Sequence, residues 1–442
     1  MTFHLGYGTN GFANHRLDDA LSIIADLGYT AVALTLDHHH LDPFADDIGP
    51  RTDRLAARLA QLGLRVVVET GARYLLDPWH KHHPTLVSGD QEVRVDFLLR
   101  AKRIAADLGA DCVSFWSGIG SPDAWEHLKS GVDAVLTGGP AVPIALEPEP
   151  GMVVERLDQA LRLRAELGDP DLLGITLDVG HCVAVEPQDA AACVRRAGDL
   201  LLNVQLDDMV PGVHEHLEFG EGLLDLPGTL AALTDIGYRG VAGVELPRHN
   251  HVAPVVARRA FEALRAASWL AGAERSVRAD PASIRSLFPA AGRAVRDRVA
   301  DARVRLLVTY ADAAPDVAEG LTALYRHGTS AERLGVLRGL AEIGGRAAET
   351  GVELVKDALR GNETGLVAAA LGPFAAAHLD QHAWRHGVLK CLFMGVPLDV
   401  VADLDRRADD ELRRMVSAFA EERRAAGRQV PADALALLGK AS

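Results

Sequence analysis

Four polar residues, Glu147, Asp178, Gln205 and Glu245, each close a short apolar run: VPIALE, LGITLD, LLNVQ and VAGVE. Three carboxylates and one amide oxygen make an all-oxygen donor set, which suits Mn2+ or Mg2+ and also admits Zn2+. Glutamates on such a rim can do a second job. One takes a proton from a carbon beside a carbonyl and the other returns it, while a divalent cation steadies the enediolate charge. Taken singly, a strand-terminal Glu147 is as well read as a solvated rim residue or a salt-bridge partner. Four on one rim would repel one another without a shared ligand.

Further candidates surround these four. His181, in LDVGH, follows Asp178 by three residues and is expected just beyond the strand end, hydrogen-bonding a substrate hydroxyl or polarising its carbonyl rather than binding the metal. His216, in HEHLEFGEG, is expected to serve similarly from the loop after the seventh strand. Glu149 orients a neighbour or lines the pocket. Glu69 closes VVVE, and Arg73 just beyond it can bind an anionic substrate group. Three consecutive histidines, His38 to His40, cannot all face one metal from a strand end, so LDHHHLDP reads as a polar loop. His80, His82 and His83 read as a longer solvated loop.

These residues need a scaffold that brings strand ends together. Strand-like runs occur at 3–7, 31–36, 65–69, 112–116, 143–147, 174–178, 201–206 and 241–245, the eight that a barrel needs to close. Amphipathic segments at 17–27, 52–62, 93–108, 153–167, 229–236 and 255–270 separate many of them, and several end in Leu-Gly or Ile-Gly, a C-cap signal. This alternation predicts α/β architecture, a (β/α)8 TIM barrel over residues 1–272, with its site at the carboxyl ends of the strands. From about residue 281 the strand signals vanish, so a smaller all-α domain is expected over 281–442. Its longest helices are expected at 373–393 and 408–426, with His378, His382 and His386 on one helix face as polar contacts. The run DRRADDELRRMVSAFAEERRAAGR reads as a salt-bridged solvated helix, and Lys390 and Cys391 as packing residues.

A net charge of −15 argues against general affinity for nucleic acid or anionic membrane. No apolar stretch reaches the roughly 18 residues of a membrane span, and MTFHLGYGTNGF has no signal-peptide character. A cytoplasmic protein acting on a small molecule is expected, with no membrane insertion. Four scattered cysteines, Cys112, Cys182, Cys193 and Cys391, form no CxxC pair and read as reduced core thiols. A helical appendage with Leu and Ala faces could mediate self-association.

The segments ALEPEP, TLDVGH, NVQLDD followed by HEHLEFGEG, and GVELP resemble the xylose isomerase-like barrels that include sugar epimerases and hydroxypyruvate isomerase. The resemblance covers the chain to about residue 270 and implies metal ligation by Glu147, Asp178, Gln205 and Glu245, with Glu147 and Glu245 as the acid/base pair. Many relatives carry histidine where this chain has Gln205, and the hydroxypyruvate isomerase branch carries glutamine. The stretch from AAAHLDQHAWRHG to RRAAGRQV is similar to the helical EboA-like family, found with secondary-metabolite gene clusters and export. That likeness implies a pathway setting and a pathway partner for the helical domain, without a reaction.

Three functions follow as expectations. The first is a metal-dependent isomerase or epimerase for a small polyhydroxy carbonyl compound, whether sugar, ketoacid or cyclitol-like. The second is a metal-dependent phosphoester hydrolase of the endonuclease IV-like type, for which His38 to His40, Glu69, His181, His214 and His216 could supply further metals. The third is a non-catalytic metabolite-binding or handover protein.

Overall fold

A computed structural model describes the chain apart from residues 1, 72, 121–123, 297 and 440–442. It divides into two compact units, Met1–Ser268 and Trp269–Ser442. The division falls within one helix, Ala253–Ala279, which runs on where the sequence predicts an end near residue 270. No Gly or Pro interrupts it between Pro254 and Gly272.

In the first unit, strands β1 (His4–Gly8), β2 (Ala31–Thr35), β3 (Arg65–Glu69), β4 (Val113–Trp116), β5 (Ile144–Glu147), β6 (Leu173–Asp178), β7 (Leu201–Leu206) and β10 (Val241–Val244) form a closed parallel barrel. Its ring order is β1-β10-β7-β6-β5-β4-β3-β2. Two more strands, β8 (Asp208–Val210) and β9 (Val213–Leu217), make an antiparallel hairpin directly after β7. Period-two alternation sorts the barrel residues. Ala31, Ala33, Val67, Cys112, Ala145 and Val241 cluster together as small residues, whereas Val32, Leu34, Val66, Val68, Phe115 and Leu146 join the larger core beneath the helices. Val67 and Glu69, Ala145 and Glu147, and Gly243 and Glu245 are two apart, so each acid shares the inward phase of the small residue below it.

The outer helices form where amphipathic runs predict them, at Leu17–Asp26, Ile48–Leu62, Gln91–Leu108, Leu157–Glu166 and Leu226–Asp235. Gly63 and Gly109 end two of them in the left-handed conformation that glycine adopts without strain. The sequence reading did not single out Trp125–Thr137, Val179–Val185 or Ala190–Ala197 as helices. All four cysteines are free and buried.

The second unit is helical throughout its described residues, from Ile284–Ala294 to Ala432–Gly439. The expected helix at 373–393 is two helices, Pro373–His378 and Gln381–Met394. Asp380 starts the second by accepting a bond from the Ala383 N–H at 2.8 Å, so the chain turns where an N-cap is available. The break takes His378 off the face shared by His382 and His386; it packs on Phe374 at 4.6 Å, and the other two rings meet at 4.5 Å. The salt-bridged helix is Asp410–Ala425, with Arg413–Asp410 and Arg414–Glu411 pairs at 3.0 and 2.7 Å outside and Leu412, Val416, Phe419 and Ala420 buried. Among the described residues no helix is long and apolar enough to cross a membrane.

Candidate metal centre at the barrel mouth

Glu69, Glu147, Asp178 and Gln205 stand at or next to the carboxyl ends of β3, β5, β6 and β7, all buried. Glu245 lies one residue past β10, and its N–H donates to Leu206 O at 3.0 Å, which carries the ladder one step further. Two amides grip Glu69: Asn203 Nδ2 reaches Oε1 at 3.1 Å and Gln205 Nε2 reaches Oε2 at 2.9 Å. That grip orients Gln205, whose own carbonyl oxygen is left buried without a partner. Asp178 is held in a comparable way. Its Oδ1 accepts the N–H groups of Gly180 and His181 at 2.7 and 3.0 Å, capping the helix Val179–Val185, while Oδ2 has no hydrogen bond. Asn10, on the turn after β1, donates to Glu245 Oε1 at 2.8 Å.

Three histidines crowd the same rim. His181 is buried on the first turn after β6, with Nδ1 3.1 Å from Pro148 O and 3.7 Å from Glu147 Oε1, and Nε2 3.8 Å from Asp178 Oδ2. The β8–β9 hairpin brings in His214, whose Nε2 is 3.1 Å from His181 Nε2, and His216, which pairs with buried Asp207. Asp208 ties the hairpin to the loop after it, accepting from Gly220 and Leu224 N–H groups at 2.7 and 2.8 Å. Two glycines make room. A Cβ at Gly180 would collide with the Asp207 carboxylate, and one at Gly222 with Asp208 and the Met209 carbonyl.

Burial raises most of the acids here, but at Asp178 it is outweighed by His181 and then His216, which hold that carboxyl below its ordinary value. Burial and then the charge of Glu245 push Glu69 up to about 8. Burial and then Glu149 push Glu147 well above the usual carboxylate range. Burial and then Glu245 take Glu149 to about 7. Burial holds His181 below its ordinary value and His214 down to about 4, which keeps both imidazoles neutral with lone pairs to offer. For His216, burial works downward but is outweighed by Asp207, lifting it to about 10.

Acidic groups thus face one another across a space in which two oxygens, Asp178 Oδ2 and Gln205 Oε1, are buried and unbonded. Unsatisfied buried acceptors among repelling carboxylates are costly, and a divalent cation removes both penalties at once. The donor set therefore fits one. Among the described residues, Glu147 with Asp178 and His181, Asp178 with His216 and Glu245, and the three histidines each offer ligand atoms within 4.8 Å of one another. Asp178 is common to the set that holds Glu147 and the set that holds Glu245. Gln205 stands on β7, between the strands that carry Asp178 and Glu245. His181 and His216 each belong to two of these sets.

The remaining expected residues divide. Arg73 and Glu149 lie by the mouth, close enough for charge to act between Arg73 and Glu245 and between Glu149 and Glu245. His38 and His39 are exposed, and His40 turns inward with Nε2 3.1 Å from His15 O. His80 pairs with Asp77 at 2.7 Å, whereas His82, expected in solvent, packs edge-on against Trp116 at 5.4 Å. Sequence reasoning missed Asn10, Asn203 and Asp207. Asn203 carried a readable signal, because it lies two residues before Gln205 and so on the same inward face.

Residues 21–271 match the family model described as xylose isomerase-like TIM barrel, and the chain belongs to that family. Residues 269–439 match the model described as metabolite traffic protein EboA. Solved structures with a similar fold include an L-ribulose 3-epimerase, 19% identical with a TM-score of 0.49, over 62% of this chain and 97% of that one. A D-allulose 3-epimerase from Methylomonas sp. is 18% identical with a TM-score of 0.47, over 60% and 98%. A probable 3-DHS dehydratase from Bacillus anthracis is 13% identical with a TM-score of 0.46, over 60% and 98%. No functionally curated protein matches the chain.

Proposed function

We propose that this protein is a divalent-metal-dependent isomerase or epimerase of the cytoplasm, moving a proton on the carbon beside the carbonyl of a small polyhydroxy compound. The observation that carries this reading is the pair of buried, unbonded oxygens, Asp178 Oδ2 and Gln205 Oε1, set among Glu147, Glu69 and Glu245. Glu147, Asp178, Gln205 and Glu245 would hold Mn2+ or Mg2+, with Zn2+ as a further candidate. Bound there, the cation supplies Lewis-acid stabilisation of negative charge on the substrate oxygens.

The chain's own residues do the rest. Glu147 and Glu245 stand three strands apart around the ring, β5 against β10, so they address a substrate from different sides. One takes the carbon-bound proton and the other delivers it to the opposite face or the adjacent carbon. Asn10 orients Glu245, and Asn203 with Gln205 fixes Glu69. Neutral His181 and charged His216 bind substrate hydroxyls or the carbonyl oxygen. The EboA-like half motivates a placement in secondary metabolism, with a pathway partner.

The test is solvent exchange. In D2O, the Mn2+-loaded protein should wash deuterium into the carbon next to the carbonyl of a compound within a panel of ketoses, 2-keto acids and keto-cyclitols, read by loss of its proton signal. No exchange across the panel removes the proton-transfer reading. A phosphoester hydrolase is the second reading, favoured by the ligand atoms of His181, His214 and His216 lying within 4.8 Å of one another. Elemental analysis separates the two: one Mn2+ or Mg2+ per chain supports isomerisation, and two or three zinc ions favour hydrolysis.

A further inference from the structure

The long connection after β3 and the helix that follows it, Gln91–Leu108, bring three cations to the mouth of this acidic barrel. Arg94 is the unusual one. It is 0% exposed, yet only Nη2 has a partner, Thr70 O at 2.7 Å, and Nε and Nη1 have none. Other buried cations in the chain are satisfied differently. Lys102 gives its ammonium to Val135 O and Gly138 O at 2.7 and 2.6 Å, and Arg303 reaches two carbonyls and stands 3.7 Å from Glu332. Burying a guanidinium with two idle nitrogens and no carboxylate in hydrogen-bond reach among the described residues is costly, so the position demands a reason.

Its surroundings supply one. Thr70 directly follows Glu69. The guanidinium stacks 4.2 Å from the centroid of Trp116, which ends β4 in register with Glu147 and shares the inward phase of Ser114. Arg94 is therefore anchored at the ends of β3, which carries Glu69, and β4, whose neighbour β5 carries Glu147, and its charge is felt by Glu149. From the connection after β3, Lys81 also acts on Glu149 and Arg73 on Glu245. Elsewhere on this unit surface arginines find carboxylates, as Arg65 with Asp111 at 2.7 Å and Arg100 with Asp96 at 2.8 Å. In a chain with 61 acidic and 46 basic residues, cations that gather by a site and make no ion pair among the described residues there are held for an outside anion.

We propose that the compound handled at the barrel mouth carries an anionic group, carboxylate or phosphate, seated on Arg94 with help from Arg73 and Lys81. This rests on the proton-transfer reading for its chemistry but not for its binding. The anion anchors one end of the molecule under Trp116 while the carbonyl end meets the metal and the two glutamates. Neutral sugars lack the anchor and are discriminated against by the cost of leaving Arg94 unpaired.

Two arms test this and keep it distinct from the reading it extends. In the exchange assay, ketose phosphates and 2-keto acids should exchange, and neutral ketoses of the same length should do so at least about 100-fold more slowly. The surface double variant Arg73→Ala/Lys81→Ala should raise KM for the anionic compound about 10- to 100-fold with kcat within about threefold. Neutral ketoses turned over equally well, or an unchanged KM, would overturn the proposal. The second arm needs no turnover: calorimetric titration of the Mg2+-loaded protein with orthophosphate and with pyruvate, which separates the two anion chemistries. Binding of either one, retained in Glu147→Gln and lost in Arg94→Met with the melting temperature preserved, supports the seat even if no compound exchanges. Should Arg94→Met not fold, the double variant must lose the binding instead. Absence of binding in the native protein, or binding that survives both cationic variants and so belongs to the metal alone, overturns it.

Discussion

In the helical unit, every donor nitrogen of Arg407 has an acceptor. Nη1 reaches Ala375 O and Ala376 O at 2.8 and 3.1 Å, Nη2 reaches Leu379 O and Gln381 Oε1 at 2.8 and 3.0 Å, and Nε reaches Gln381 Oε1 at 3.2 Å. The barrel mouth is also a dense polar knot, but there Asp178 Oδ2, Gln205 Oε1 and two nitrogens of Arg94 lack partners. The first knot closes the carbonyl end of the helix Pro373–His378 and completes itself from the chain alone. The second has been assembled with its valences open, at a cost that packing elsewhere must cover. Full satisfaction marks a structural device, and a patterned deficit marks a place where something from outside is expected.

That contrast can be broken at several points. The largest effect is expected from Glu147→Gln and Glu245→Gln, each of which should reduce solvent exchange by about 10²- to 10⁴-fold with circular dichroism unchanged. Retained exchange in either would place the proton transfer elsewhere. Chelation comes next. If the mouth is completed by a cation, stripping it should remove about 2.7 kcal/mol of stability for metal held at a hundred times its dissociation constant, seen as a fall in melting temperature reversed by Mn2+. A chelator with no effect would mean that the open valences are not filled by metal. Arg407→Met should cost about 1–3 kcal/mol in chemical denaturation by orphaning several carbonyls, with exchange activity untouched. Activity lost together with stability would contradict its purely structural assignment. Smallest of all, Arg414→Ala deletes an exposed pair with Glu411 and should leave the unfolding midpoint where it was.

The scaffold was legible in the sequence because a parallel barrel repeats one simple signal, an apolar run followed by an amphipathic one. All eight barrel strands occur where that signal places them, with ends that differ by at most one residue. Glu147, Asp178, Gln205 and Glu245 were legible for the same reason: a polar residue stands out after an apolar run. What was hidden depends on contacts between distant segments. Asn10 meets Glu245 across 235 positions and Asn203 meets Glu69 across 134, distances over which no local pattern speaks. The β8–β9 hairpin was hidden too, since VHEHL has apolar residues only at its two ends and no alternation of apolar with polar. In the helical unit, continuous helix propensity concealed the break at Leu379 and Asp380, which depends on a cap and on Arg407 from a later segment.

Asp178 divides its two oxygens between the backbone of the next helix and the mouth of the barrel. A single side chain is therefore a hinge pin for the segment that presents His181 and, on the proposed reading, would also be a terminal for the cation. The two duties can be pulled apart by one atom, because Asp178→Asn can keep its carbonyl on the helix while turning an NH2 toward the mouth. Such a protein should fold and hold His181 in place yet bind Mn2+ weakly in calorimetric titration, giving an empty-handed copy of the native protein. Unimpaired Mn2+ affinity would show that Asp178 serves the helix alone.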